Sequence, residues 1–181
     1  TPVLFHDMNV DSVHDLVYVR DSTNEEIQLE VRFGDSLKTG EWGTFKARVE
    51  DLRFDDLNLD GKMDLVNQNQ WIAFSTGYGF EPPLFLQTPY HQQVHDIFFE
   101  DLNEDGVKDI LYSTEKENQL WMISSQGTSF GPSVPLVSLP NGIHIDHLKL
   151  LDINGDGFKD IIFFDFTTKE ARGWTEFNAS N

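Results

Sequence analysis

Four short acidic segments interrupt this chain, and each has the same apolar pattern on both sides. Val3 and Phe5, Leu52 and Phe54, Ile97 and Phe99, and Leu148 and Leu150 stand four and two residues before an aspartate. A spacing of two puts side chains on one face of a β-strand, so each acidic segment is preceded by a strand. Behind the segments come Leu16-Val17, Leu65-Val66, Ile110-Leu111 and Ile161-Ile162. Such continuous apolar runs, rich in β-branched residues, read as buried strands. Each unit therefore begins strand, acidic loop, strand. No stretch carries a sustained 3.6-residue apolar period with caps, so almost no helix is expected.

The acidic segments are copies of one another. DLNLDGKMDLV starts at Asp56, DLNEDGVKDIL at Asp101 and DINGDGFKDII at Asp152. DMNVDSVHDLV, starting at Asp7, differs in having Ser12 where the others have Gly. The starts lie 49, 45 and 51 residues apart, near the period of propeller repeats, roughly 40–50 residues. A second marker follows each loop. Trp71, Gly77 and Phe80 align with Trp121, Gly127 and Phe130, and Trp174 opens a further copy. The first unit has a weaker version in LEVRFGDSL, ending at Leu37. The marker reads as a third strand and a glycine turn. Pro83 to Gln87 and Pro135 to Ser138 are candidate fourth strands, whose prolines suit sheet edges.

Four strands in 45–50 residues is the size of a propeller blade. The expected fold is all-β: four consecutive four-stranded antiparallel blades in one segment, residues 1–181. The blades fall at about 1–48, 49–93, 94–144 and 145–181, the last without room for its outer strand. The chain reads as consecutive blades of a larger propeller.

The loops carry the chemistry. In the second copy Asp56, Asn58 and Asp60 hold positions 1, 3 and 5, Gly61 position 6 and Asp64 position 9. Ca²⁺ takes six to eight hard oxygen ligands in flexible geometry. Alternate residues of a tight turn can aim three side-chain oxygens inward, position 7 (Lys62) offers its carbonyl, and Asp64 closes the cage from the next strand. Glycine at position 6 supplies the positive φ that wraps the chain. The third copy gives Asp101, Asn103, Asp105, the Val107 carbonyl and Asp109. The fourth gives Asp152, Asn154, Asp156, the Phe158 carbonyl and Asp160. The first gives Asp7, Asn9, Asp11, the Val13 carbonyl and Asp15, but Ser12 must adopt a glycine-like conformation at a cost of about 1 kcal/mol. Three calcium sites are expected, with a fourth, weaker one at loop 1. An EF-hand shares the first six positions but needs a bidentate Glu at position 12 and flanking helices. Position 12 is Tyr18, Asn67, Tyr112 and Phe163, and the flanks are strands.

These units resemble the FG-GAP/VCBS repeats of integrin α-subunit propellers and of many secreted bacterial and fungal proteins. The loops match that family's calcium motif residue by residue, and TGYGF (76–80) resembles the segment that names it. The resemblance departs at Ser12 and in the shortened last unit. It implies seven-bladed propellers, with calcium in the hairpin between the first and second strands of a blade. It does not imply a single function.

Charge and composition narrow the role. Aromatic residues make up 13% of the chain, which sets it apart from disordered sequences. The net charge of −18 argues against nucleic acid and anionic membrane surfaces as partners. Cysteine is absent, which excludes disulfides and thiolate metal sites and leans toward a bacterial secreted or surface protein. No apolar run reaches the length of a membrane span, and no signal peptide is present, so a start at Thr1 reads as a processed or excised form. The His91/His95 and His144/His147 pairs lie in or beside expected strands and read as loop or surface residues, as do His6 and His14 beside the first loop. Asn178-Ala179-Ser180 is a formal glycosylation acceptor. No GxSxG elbow, phosphate loop, HExxH or cysteine nucleophile is present. The expectation is a non-catalytic, calcium-stabilised scaffold or interaction segment with a protein or glycan ligand, its exposed blade edges open to self-association. Two alternatives remain: a lectin-type propeller stacking sugars on Trp71, Trp121 and Trp174, and a propeller portion of a large bacterial toxin or polysaccharide-active enzyme. For the tryptophans, packing between neighbouring blades is the plainer reading.

Overall fold

The computed structural model describes residues 2–23, 26–67, 71–86, 94–114, 117–140, 143, 145–165 and 168–174. The chain divides into two compact units, Thr1–Leu86 and Gln87–Asn181. Each is built from antiparallel sheets whose strands follow one another in sequence.

In the first unit, β1 (Pro2–His6), β2 (Asp15–Ser22), β3 (Ile27–Arg32) and β4 (Thr39–Phe45) form one four-stranded meander. A single 3-10 turn, Val49–Asp51, leads into β5 (Leu52–Asp55), β6 (Asp64–Asn67), β7 (Trp71–Ala73) and β8 (Leu84–Phe85), a second meander. In the second unit, β9 (Val94–Glu100), β10 (Asp109–Thr114), β11 (Glu117–Ser125) and β12 (Phe130–Ser138) form the third sheet. After the 3-10 turn Ile145–His147 come β13 (Leu148–Leu151), β14 (Asp160–Asp165) and β15 (Glu170–Trp174), a three-stranded fourth sheet. The two 3-10 turns are the only helical segments among the described residues, and no helix there is long and apolar enough to cross a membrane.

The expected strand, loop, strand order holds in all four sheets. The acidic segments join β1 to β2, β5 to β6, β9 to β10 and β13 to β14, and each position-9 aspartate is the first residue of the second strand. Its partner across the ladder is the residue before position 1: His6 with Asp15, Asp55 with Asp64, Glu100 with Asp109 and Leu151 with Asp160. The Trp-Gly marker is the β3-like strand and its turn. Gly77 and Gly127 take φ of +84° and +83° at the first central position of turns closed by Thr76 N–H to Gly79 O and Gln126 N–H to Ser129 O. Only glycine takes that conformation freely. The expected fourth strands are edges: β8, reduced to two residues after Pro83, and β12, which runs nine residues and holds Pro132 and Pro135. Proline donates no ladder hydrogen bond, so an outer strand is where it fits. Gln87 lies outside the described residues.

Each unit has a core shared by its two sheets. In the first, Val17, Val19, Leu29, Val31, Trp42 and Phe45 of the leading sheet pack with Leu65, Trp71 and Ala73 of the next. In the second, Leu111, Leu120 and Met122 pack with Leu148, Ile161 and Phe163. One apolar residue departs from the expected alternation. Phe5 is 67% exposed, while Leu4 packs on the core. The ladder shifts register between Pro2 and Leu4, while Phe5 pairs with Leu16 as Phe54 pairs with Leu65.

Candidate metal centre

All four acidic segments fold the same way. In the second loop, the Asp60 N–H donates to Asp56 Oδ1 (3.1 Å) and Asn58 Oδ1 (3.2 Å). The Gly61 N–H donates to Asp56 Oδ2 (2.9 Å), and the Lys62 N–H to Asp60 Oδ1 (2.9 Å). The same four bonds recur around Asp7, Asn9 and Asp11, around Asp101, Asn103 and Asp105, and around Asp152, Asn154 and Asp156. Asp and Asn side chains readily bond backbone N–H groups a few residues on. Here that habit gathers the carboxylates of positions 1 and 5 and the amide of position 3 on one turn. The contacts of Val13, Lys62, Val107 and Phe158 at position 7 run through their N–H groups.

Backbone conformation repeats as well. Position 6 is left-handed in every loop, with φ of +87° at Gly61 and Gly106 and +93° at Gly157. Ser12 adopts +71° and keeps the whole bonding scheme, so the serine strains loop 1 without unfolding it. Position 4 is left-handed too: Val10 (+62°), Leu59 (+54°), Glu104 (+57°) and Gly155 (+76°). This feature has no residue signature, since only the fourth loop places glycine there. A β-branched residue such as Val10 at positive φ is rare and persists only where its surroundings fix it. Neighbouring loops also meet. The Val10 methyls lie 3.8 and 3.9 Å from where a Cβ on Gly61 would stand, and the Glu104 carboxylate lies 3.8 Å from that point on Gly157.

Position 9 has two tasks. Asp64 is fully buried; its Oδ2 accepts the Leu57 N–H (3.0 Å) and its Oδ1 the Ser75 N–H (2.8 Å). Asp15 takes Met8 (2.9 Å) and Gly34 (2.9 Å) in the same way. Asp109 takes Leu102 (3.3 Å) and Ser125 (2.9 Å). Asp160 takes Ile153 (2.9 Å). The aspartate thus clasps the loop at position 2 and, in the first three sheets, a residue at or just past the end of the third strand. Gly34, Ser75 and Ser125 are functional positions that the spacing of acids does not reveal. Ser75 and Ser125 share one place in the aligned Trp-Gly markers, the only trace they leave in the sequence.

The electrostatics follow from burial. Desolvation pushes the Asp64 carboxyl from its ordinary 3.8 up to about 6; the Ser75 and Leu57 N–H groups oppose it, and the Asp60 and Asp56 charges add to it. Asp109 is raised for the same reasons, burial first, with Asp105 and Asp101 as its charged neighbours. Burial likewise works upward on Asp60, but the Lys62 ammonium and N–H and the Asn58 amide outweigh it and hold Asp60 below its ordinary value. Lys62 Nζ lies 2.8 Å from Asp60 Oδ2, an internal counter-ion of loop 2. In loop 4, Lys159 pairs instead with Glu100.

The donors at positions 1, 3, 5, 7 and 9 suit a hard cation: they are carboxylate, amide and carbonyl oxygens, while Met8, Met63 and His14 stand at positions 2 and 8, outside that set. Each oxygen of Asp64 accepts one N–H and has a second lone pair. As placed, no three Asp, Glu or His side chains among the described residues close on one point tightly enough to hold an ion. Binding would draw positions 1, 5 and 9 inward around the oxygens of positions 3 and 7.

The other candidates separate. Trp71 is 2% exposed and stacks on Phe45 at 5.4 Å, its Nε1–H donating to Lys46 O (3.3 Å). It joins two sheets and presents no face to a sugar. Trp121 is half-buried and stacks with Tyr112 at 6.4 Å. His91, His144 and Asn178-Ala179-Ser180, and the side chains of His95, Asp146 and Trp174, lie outside the described residues.

No curated protein matches the chain. Residues 101–163, from the first aspartate of loop 3 through loop 4 to Phe163 in β14, match the family model of the FG-GAP-like repeat. That stretch spans one full period of the loop, strand and marker pattern, and by this match the chain carries an FG-GAP-like repeat, a β-propeller-type module.

Proposed function

We propose that this chain is a calcium-stabilised segment of a β-propeller in a secreted or surface protein, serving as a rigid scaffold for protein or glycan contacts rather than as a catalyst. The observation that carries this reading is the fourfold recurrence of one loop geometry. Three acidic or amide side chains are held by the same backbone N–H groups, over two left-handed residues that non-glycine side chains occupy at a cost. Strain repeated at a fixed place points to a constraint beyond local preference. Ca²⁺ would supply the charge that lets positions 1, 5 and 9 approach one another. Asp7, Asn9, Asp11 and Asp15, Asp56, Asn58, Asp60 and Asp64, Asp101, Asn103, Asp105 and Asp109, and Asp152, Asn154, Asp156 and Asp160 would hold it, with the position-7 carbonyls. Because position 9 also clasps the third strand, ion binding and sheet order would be coupled. The burial of Trp71 removes one of the stacking platforms that a lectin reading needs.

The test is to strip the full chain with chelator and titrate Ca²⁺ by calorimetry and thermal melting. The expected result is three or four ions bound and a midpoint raised in millimolar calcium, reversed by chelator. An unchanged melt with no heat of binding would overturn the reading.

A further inference from the structure

Loop 1 carries a pair of side chains that the oxygen-ligand scheme does not use. His6 ends β1 and His14 immediately precedes β2, and the pairing of His6 with Asp15 brings them side by side. Their ring centroids lie 6.2 Å apart with planes at 73°. His14 stacks on the exposed Phe5 at 5.2 Å and 27°, which limits its rotation. Phe5 is 67% exposed, so the His14 ring and its support both lie at the surface. Neither histidine corresponds to histidine in the other loops: the equivalents of His6 are Asp55, Glu100 and Leu151, and those of His14 are Met63, Lys108 and Lys159.

We propose that His6 and His14 form a two-imidazole site for a borderline divalent cation of the Zn²⁺ or Cu²⁺ class, separate from the oxygen-ligated loop between them. Geometry permits it. A metal about 2.0–2.1 Å from one nitrogen of each ring sets the centroids about 5.2 Å apart at a tetrahedral angle and about 6.4 Å apart when collinear. The observed 6.2 Å lies inside that range, and rotation about the His6 ring torsion covers the remainder. Water fills the other coordination positions. The site selects by ligand softness: imidazole suits Zn²⁺, Cu²⁺ and Ni²⁺, whereas Ca²⁺ prefers the carboxylates. Asp7 and Asp15, the chain neighbours of the two histidines, add a negative field that favours any cation there. This proposal does not depend on calcium binding by the loops.

The experiment is calorimetric titration of the full chain with Zn²⁺ at pH 7.5 in excess Ca²⁺. One micromolar-class site is expected, tighter for Cu²⁺ than for Zn²⁺ and retained in excess Ca²⁺, which weakens the field of Asp7 and Asp15 but does not compete for the imidazoles. His6→Gln and His14→Gln should each weaken it by about tenfold or more, with zinc-free melting unchanged. Phe5→Ala should weaken it less than either. Absence of zinc binding would overturn the proposal. So would binding that both glutamine variants retain, or that disappears only when His91 and His95 are replaced.

Discussion

The carboxylate of Asp64, at the start of β6, accepts the backbone N–H of Ser75, eleven residues later and past the end of β7 (2.8 Å). Its other oxygen holds Leu57 in the loop (3.0 Å). Replacing Asp64 with Ala strands two buried N–H groups, each costing about 1–3 kcal/mol. Asp64→Ala should therefore lose about 2–6 kcal/mol in urea unfolding with chelator present, whereas Asp60→Ala should cost far less. Equal losses for the two would show that the clasp is not what holds the hairpin.

Acidity should act in opposite directions with and without calcium. The folded Asp64 carboxyl sits near 6, above its ordinary 3.8, so the folded state binds more protons than the unfolded state between those values. Its contribution is present in full below about pH 4 and lost as pH rises through 6. Chelator-stripped protein should therefore show a component of stability that declines from pH 4 to 6, and Asp64→Asn should remove it. Calcium affinity should instead fall as pH drops below 6, because the ligand must be ionised. Melting curves along a pH series, each with and without calcium, check both signs.

Ser12 at φ +71° occupies a conformation that glycine adopts without strain. Ser12→Gly should stabilise the chain by up to about 1 kcal/mol and tighten calcium at loop 1. Gly61→Ala should do the reverse at loop 2; its new Cβ would meet Val10 at ordinary contact distance, so the penalty would come from φ rather than from collision. Paired melts and calorimetry of the two variants test this.

Lys62 holds Asp60 without any metal. Lys62→Met should tighten calcium at loop 2 while changing the melt in chelator little, since a half-exposed ion pair contributes less than about 1 kcal/mol. Calorimetry that shows weaker calcium binding in this variant would refute the counter-ion role.

Much of the site was legible because side-chain chemistry and spacing carry it. Positions 1, 3, 5 and 9 need oxygens at fixed steps, and the sequence spells them four times. The apolar alternation around the loops yields the strands, and the prolines yield the edges β8 and β12. What escaped reading is carried by the backbone. The left-handed turn at Val10, Leu59 and Glu104 leaves no mark in residue type. The donors that meet position 9 are main-chain N–H groups, which Gly34, Ser75 and Ser125 offer as any residue would. The outward turn of Phe5 departs from the period-two pattern, which does pack the equivalent Phe54 on the core.

The clasp spans 19 residues in the first sheet, 11 in the second and 16 in the third. The carboxylate at each base recognises only the returning main chain, whatever length of hairpin lies between. The second-to-third-strand turn is thereby released from the constraint that fixes the acidic loop. Insertions there can lengthen, shorten or reshape one end of a repeat while its acidic-loop end stays constant, which makes that turn the natural place for these repeats to diversify and for a foreign segment to be grafted.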